Sequence, residues 1–136
     1  MEKEIKLRID EYLRITNDFF ACQNYVKVRE TLVEAWEFLP DSKIEFDESY
    51  HIAKYIIDMS LRLGELQVAK KWADILMKCN LNRYDSGERE FIKGRVLYEL
   101  GEFPQAKEYF IVGNKKSKGR CFIDYDSKYK LFALSK

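Results

Sequence analysis

The chain has 136 residues, a length suited to one domain that buries roughly two thirds of the surface its unfolded form exposes. Hydrophobic residues make up 46% and charged ones 35%, with 2 prolines and 6 glycines, which favours packed helices over disorder or a glycine-rich β-structure. Twenty-four Lys and Arg against 23 Asp and Glu leave a formal charge of +1, too balanced for general electrostatic capture of nucleic acid or an anionic membrane.

The opening MEKEIKLRID mixes charges at once and lacks the apolar segment of a secretory signal. No apolar run approaches the ~18 residues of a spanning helix, so a cytoplasmic location is expected. Apolar residues recur at helical spacing, and the pattern predicts seven helices near 2–22, 24–39, 47–63, 65–79, 85–100, 103–114 and 125–135. In the first, Ile5, Ile9, Tyr12, Thr16, Phe19 and Phe20 form one stripe assigned to the core. The turn into the second is Gln23-Asn24, and asparagine tolerates a left-handed backbone better than most residues.

Asp47 is expected to cap the third helix and Asp85 the fifth, with Glu88 three residues beyond Asp85 in a capping-box arrangement. Trp36 and Trp72 both fall late in the second helix of a pair, where packing between pairs accounts for them. The last helix has Tyr125, Tyr129, Phe132 and Ala133 on one side and Asp126, Lys128 and Lys130 elsewhere, the pattern of a cap over the last pair.

Two stretches are near copies. LGELQVAKKWA at 63–73 and LGEFPQAKEYF at 100–110 set Gly64 and Gly101 37 residues apart, and Ala69 and Ala106 keep that separation. Glycine after LRL or YEL closes one helix in the left-handed conformation so that a second, antiparallel helix can start. Alanine one turn later permits close approach, and bulky residues three before and four after it bury beside the contact. A weaker copy, QNYVKVRETLVEAWEFLP, keeps the spacing at Tyr25, Val28, Leu32, Ala35 and Pro40.

With these residues the chain resembles the tetratricopeptide repeat (TPR) family, whose helical hairpin carries W-x2-L-G-x2-Y…A-x3-F…P over about 34 residues. Gly94, Leu97, Gly101, Phe103, Ala106 and Phe110 carry the resemblance in the last copy, while Glu90 stands in place of the family's Trp and Gly113 in place of its later alanine. The separations Tyr25 to Leu66 and Leu66 to Phe103, 41 and 37, exceed the family period. The resemblance covers roughly residues 9–114. It implies an all-α fold, a right-handed superhelical array of antiparallel helix pairs (a TPR-like α-solenoid) in one domain over 1–136, with hairpins near 2–40, 47–80 and 85–114 and a capping helix near 125–135.

In that family the first helices of the pairs line a concave ligand surface. Projected onto this chain, the groove-facing places are Leu13, Asn17 and Phe20, then His51, Lys54, Tyr55, Asp58 and Arg62, then Phe91, Arg95 and Tyr98. The Lys and Asn clamp with which some tetratricopeptide domains grip a C-terminal carboxylate is not reproduced, since Leu13 takes the place of its first lysine and Asp58 repels a carboxylate. The mixed Lys54, Asp58, Arg62, Arg95, Tyr55 and Tyr98 set suits a protein or peptide of mixed charge. The alternative at each address is an internal salt bridge, or a groove closed by the seventh helix.

Catalytic and cofactor signatures are absent from the sequence. His51 is the only histidine, which leaves no second histidine for a zinc site and reads as a solvated or partner-facing residue. Phosphate-binding glycine loops do not occur. Glu45, Asp47 and Glu48 read as helix-start charges that offset the macrodipole. Cys22, Cys79 and Cys121, odd in number and far apart, read as reduced thiols, with Lys118 and Arg120 able to lower the pKa of an exposed Cys121. KKSKGR at 115–120 is a solvated helix end or a docking site for an acidic partner.

The expected function is therefore a non-enzymatic protein- or peptide-binding module, with no cofactor, no metal, no nucleic acid and no membrane, and self-association open. The alternative readings are a small bacterial immunity or inhibitor protein that blocks a toxin, an RNA-binding helical repeat, or an enzyme whose site leaves no motif.

Overall fold

The helical periodicity is realised as seven α-helices in a computed structural model that describes residues 2–79 and 86–135. These are α1 Lys3–Ala21, α2 Tyr25–Phe38, α3 Asp47–Arg62, α4 Leu66–Lys78, α5 Glu88–Glu99, α6 Phe103–Ser117 and α7 Ser127–Leu134. Their ends lie within one helical turn of the expected ones. No strand occurs among the described residues, and none of their helices is long and apolar enough to cross a membrane. The chain divides into two compact units, Met1–Asn80 and Leu81–Lys136.

In the first unit α1 packs on α2, α3 on α4, and α2 on α3. Ala35, Ala53, Ala69 and Ala73 are fully buried, small residues that let helices approach closely. The Trp36 and Trp72 rings meet edge to face, centroids 5.1 Å apart at 90°, an arrangement that adds to simple area burial. An ion pair also joins Arg29 of α2 to Glu65 at the start of α4. Pro40 explains the end of α2, because the residue before a proline is driven to extended backbone and Leu39 has ψ 144°. Lys43 then donates from Nζ to the carbonyls of Glu37 and Leu39 and ties the connection to the helix it leaves.

Several local expectations are corrected. The residue preceding α3 is Phe46, in extended conformation, and Asp47 is the first helical residue rather than its cap; its charge still lies in the first turn, where it complements the macrodipole. Asp85 lies outside the described residues. There Gly87 precedes α5, and the Glu88 N–H donates to Ser86 Oγ at 3.3 Å. In the first turn between paired helices it is Gln23, not Asn24, that adopts the left-handed conformation, with φ 59°. Asn24 instead caps α2, its Oδ1 accepting from the Lys27 N–H at 3.3 Å. Phe20 leaves the core stripe and is exposed, whereas Ile9 and Thr16 are buried.

The second unit is the α5–α6 hairpin with the tail folded back on it. Gly101, with φ 81°, makes the turn, and a Cβ there would meet nothing within 4 Å, so the requirement is conformational rather than spatial. Gly94 has the opposite reason: a Cβ would lie 2.8 Å from the Phe110 ring. Ala106 and Phe110 are fully buried. Phe91 gathers the rings of Phe110, Phe122, Tyr125 and Tyr129, with centroids 4.4–5.8 Å away. Glu90 is buried, and Lys116 supplies its counter-charge at 2.5 Å. A buried carboxylate requires such a partner, which gives one lysine of the basic run an internal task.

Candidate docking groove

The sequence-derived groove positions separate into two groups. In the first unit, α1, α2 and α3 enclose an open cavity of about 420 Å³ lined by Leu13, Thr16, Asn17, Phe20, Val28, Leu32, Tyr55, Asp58 and Met59. Five of these, Leu13, Asn17, Phe20, Tyr55 and Asp58, were addressed by the repeat register. The other four lie one helical turn or less from an addressed residue, or on α2 facing it. Thr16 was assigned to the core on its periodicity, and its hydroxyl indeed donates to the Leu13 carbonyl at 2.6 Å.

Three features give the cavity its chemistry. Its floor is apolar, made of the buried Val28, Leu32 and Met59. Two aromatic residues stand exposed at its rim, Phe20 at 43% and Tyr55 at 47%, which leaves ring surface for a partner to cover. Asp58 is the only charged lining residue. Its Oδ2 accepts from Arg62 Nε at 3.3 Å, and the Arg62 guanidinium lies over the Phe20 and Tyr25 rings, 5.5 and 5.3 Å from their centroids. Stacking and an i,i+4 ion pair thus set the orientation of Arg62, although an exposed pair of this kind contributes only about 0–1 kcal/mol to stability. His51 is exposed, packs edge-on against Tyr50 and lies outside the lining, as does the half-buried Lys54.

In the second unit the expected groove positions are buried, at Phe91, or half-buried against the tail, at Arg95 and Tyr98. Phe91 is 1% exposed and belongs to the aromatic cluster, so it offers no surface to a partner. Tyr98 stacks edge-on with Phe103, Tyr129 and Phe132. Arg95 lies over the rings of Tyr125 and Tyr129, and its Nε donates to the Tyr129 hydroxyl at 3.3 Å. That hydroxyl donates in turn to Glu99 Oε1 at 2.6 Å, and Lys128 Nζ stands 3.1 Å from the same oxygen. The α7 segment therefore closes this face, which is the alternative the sequence left open. It is secured by a phenol between a guanidinium and a carboxylate.

Two of the three thiols are held in the neutral form. Burial pushes the Cys79 thiol up to about 11. Cys121 is also raised, first by burial and opposed by a hydrogen bond with Ser117; it is half-buried, so the exposure that would let Lys118 and Arg120 lower it is not there. Cys22 is exposed. Among the described residues no group of three or more His, Cys, Asp or Glu is placed to hold a metal ion. Compared with family models, with curated proteins and with solved structures, the chain matches none.

Proposed function

We propose that the chain is a non-enzymatic module that docks a protein or peptide in the groove between α1, α2 and α3, on helix pairs arranged as a right-handed superhelical array of tetratricopeptide type, in the cytoplasm. The observation that carries this reading is a coincidence of two addresses: of the eight residues that the repeat register picks in the first unit, five, Leu13, Asn17, Phe20, Tyr55 and Asp58, line one open cavity. Its composition also fits recognition. An apolar floor with a few polar groups at the edge is the usual make-up of a binding cleft, and tyrosine and arginine are favoured interface anchors. The lining holds one carboxylate and no nucleophile beside a base, which supports binding rather than catalysis. Asp58 disfavours a partner's terminal carboxylate in this position.

The test is capture from a native lysate with the wild-type chain and an Asn17→Arg/Tyr55→Glu variant. Both side chains are exposed, so the variant is expected to keep its helical circular dichroism. A partner retained by the wild type alone, and protecting amides of α1 and α3 from hydrogen exchange, supports the groove. Equal capture by both forms, or protection confined to other segments, sinks it.

A further inference from the structure

The second unit contains a worked example of what this kind of groove can hold. There the Tyr129 ring is held by Phe91, Tyr98 and Phe110, with centroids 5.8, 5.3 and 5.9 Å away. Its hydroxyl accepts from Arg95 and donates to Glu99. Carried back by the offset that relates Phe103 to Tyr25, the residues that embrace Tyr129 correspond to Leu13 for Phe91, Asn17 for Arg95, Phe20 for Tyr98, Leu32 for Phe110 and Ala21 for Glu99. Four of the five counterparts line the cavity of the first unit; Ala21 does not, and the carboxylate there comes instead from Asp58 of α3. These four are smaller than their equivalents, with leucine for phenylalanine at two places, asparagine for arginine and phenylalanine for tyrosine, and the space that rings fill in one unit is open in the other.

From this correspondence the geometry points to a tyrosine side chain of the partner as the occupant of the α1–α2–α3 cavity, an inference that rests on the docking reading above. The ring would lie against the half-buried Leu13 and the exposed Phe20, above the buried Leu32 and Met59, an apolar bed with an aromatic edge, where edge-to-face contacts are favoured. The phenol hydroxyl has a donor and an acceptor within the lining: the Asn17 amide, standing where Arg95 stands, and the Asp58 carboxylate. Charge selects among aromatic ligands. A neutral phenol can donate to Asp58, whereas a phosphorylated tyrosine brings a charge of about −1.5 to −2 against it. The roughly 420 Å³ of the cavity falls within the ordinary range of small-ligand clefts, about 300–1,000 Å³.

The experiment is an amide-resolved NMR titration of the full chain with N-acetyl amides of tyrosine, phenylalanine, leucine, arginine and phosphotyrosine. Saturable shifts at Asn17, Tyr55 and Met59 are expected with the tyrosine amide, with affinity at least fivefold above that for phenylalanine or leucine and no saturable shift with phosphotyrosine. Leu13→Phe and, separately, Leu32→Phe should fill the cavity as the second unit does and abolish the shifts; Asn17→Ala, at an exposed position, should keep the fold and bring tyrosine down toward phenylalanine. Equal or tighter binding of leucine or arginine amide at the same residues overturns the tyrosine inference while leaving the groove a docking surface. Absence of shifts with every probe overturns the inference as well, and the capture experiment then judges the groove by itself.

Discussion

At the three turns between paired helices the backbone passes through the left-handed region, at Gly64 and Gly101 with φ of 73° and 81°, and at Gln23 with φ of 59°. A side chain in that conformation crowds the following carbonyl and costs about 1–2 kcal/mol, which glycine avoids. Glycine in turn loses more backbone freedom on folding, by about 0.5–1 kcal/mol. Gln23 is exposed, so no packing is lost with its side chain. Gln23→Gly is therefore expected to stabilise the first unit by about 0.5–1 kcal/mol, seen as a higher urea midpoint at unchanged slope. An unchanged or lower midpoint would mean that the glutamine is held in place by more than its turn. Sequence reasoning found this turn and assigned its strain to the wrong residue, because the capping role of Asn24 shifts the left-handed position one residue back.

The element on which charge acts most visibly is α7, just over two turns beyond its Asp126 cap, where the side chain accepts from the Lys128 N–H at 2.9 Å. An isolated helix of this length is marginal in water. Its stability has to come from the face it buries and from the Tyr129 network. Burial alone would raise Glu99, but the Tyr129 hydroxyl, Lys128 and the Arg95 charge outweigh it and hold the carboxyl below its ordinary range. A depressed acid contributes stability above its unfolded pKa, about 4.3 for glutamate, and loses it as pH falls through the lower folded value. Tyr129 is raised, by burial first and then by the Glu99 carboxylate. Its contribution is present below the ordinary tyrosine value of about 10 and is lost as pH rises through the folded one. The ring signals of Tyr129 and Phe132 should then hold constant between about pH 5 and 9 and move toward free-tail values on both sides. Glu99→Gln should flatten the acid limb. A profile without an acid limb in the wild-type chain would show that α7 is held by ring packing alone.

For the molecule as a whole, the features legible in the sequence are those written locally. A 3.6-residue period, a glycine after LRL and YEL, and an alanine one turn later specify helices and hairpins from neighbours a few residues apart, and the repeat register also marked five of the cavity's residues. The cavity itself was not legible. It exists because Leu13, Val28, Leu32 and Met59, brought together from three helices, do not fill the space that Phe91 and Phe110 help to fill in the second unit. The engagement of Phe91, Arg95 and Tyr98 by tail rings depends likewise on where the tail comes to rest, which periodicity leaves open. The first unit offers a direct check on how much it encodes by itself. Both tryptophans belong to it and meet at 5.1 Å, so their fluorescence reports this unit alone. Residues 1–79 also carry the contacts of α2 with both α1 and α3 and a core that includes Ile9, Leu32, Ala35, Ile52, Ile56 and Leu76. A chain of this size buries somewhat over 60% of its unfolded surface, enough for marginal independent stability. Produced alone, residues 1–79 should lose tryptophan signal in one cooperative urea transition, and Trp72→Ala should lower that stability by about 3–5 kcal/mol or abolish the transition, because it leaves a large hole against Trp36. A gradual, sloping loss of signal from the intact fragment would instead assign part of this core's stability to residues beyond position 79.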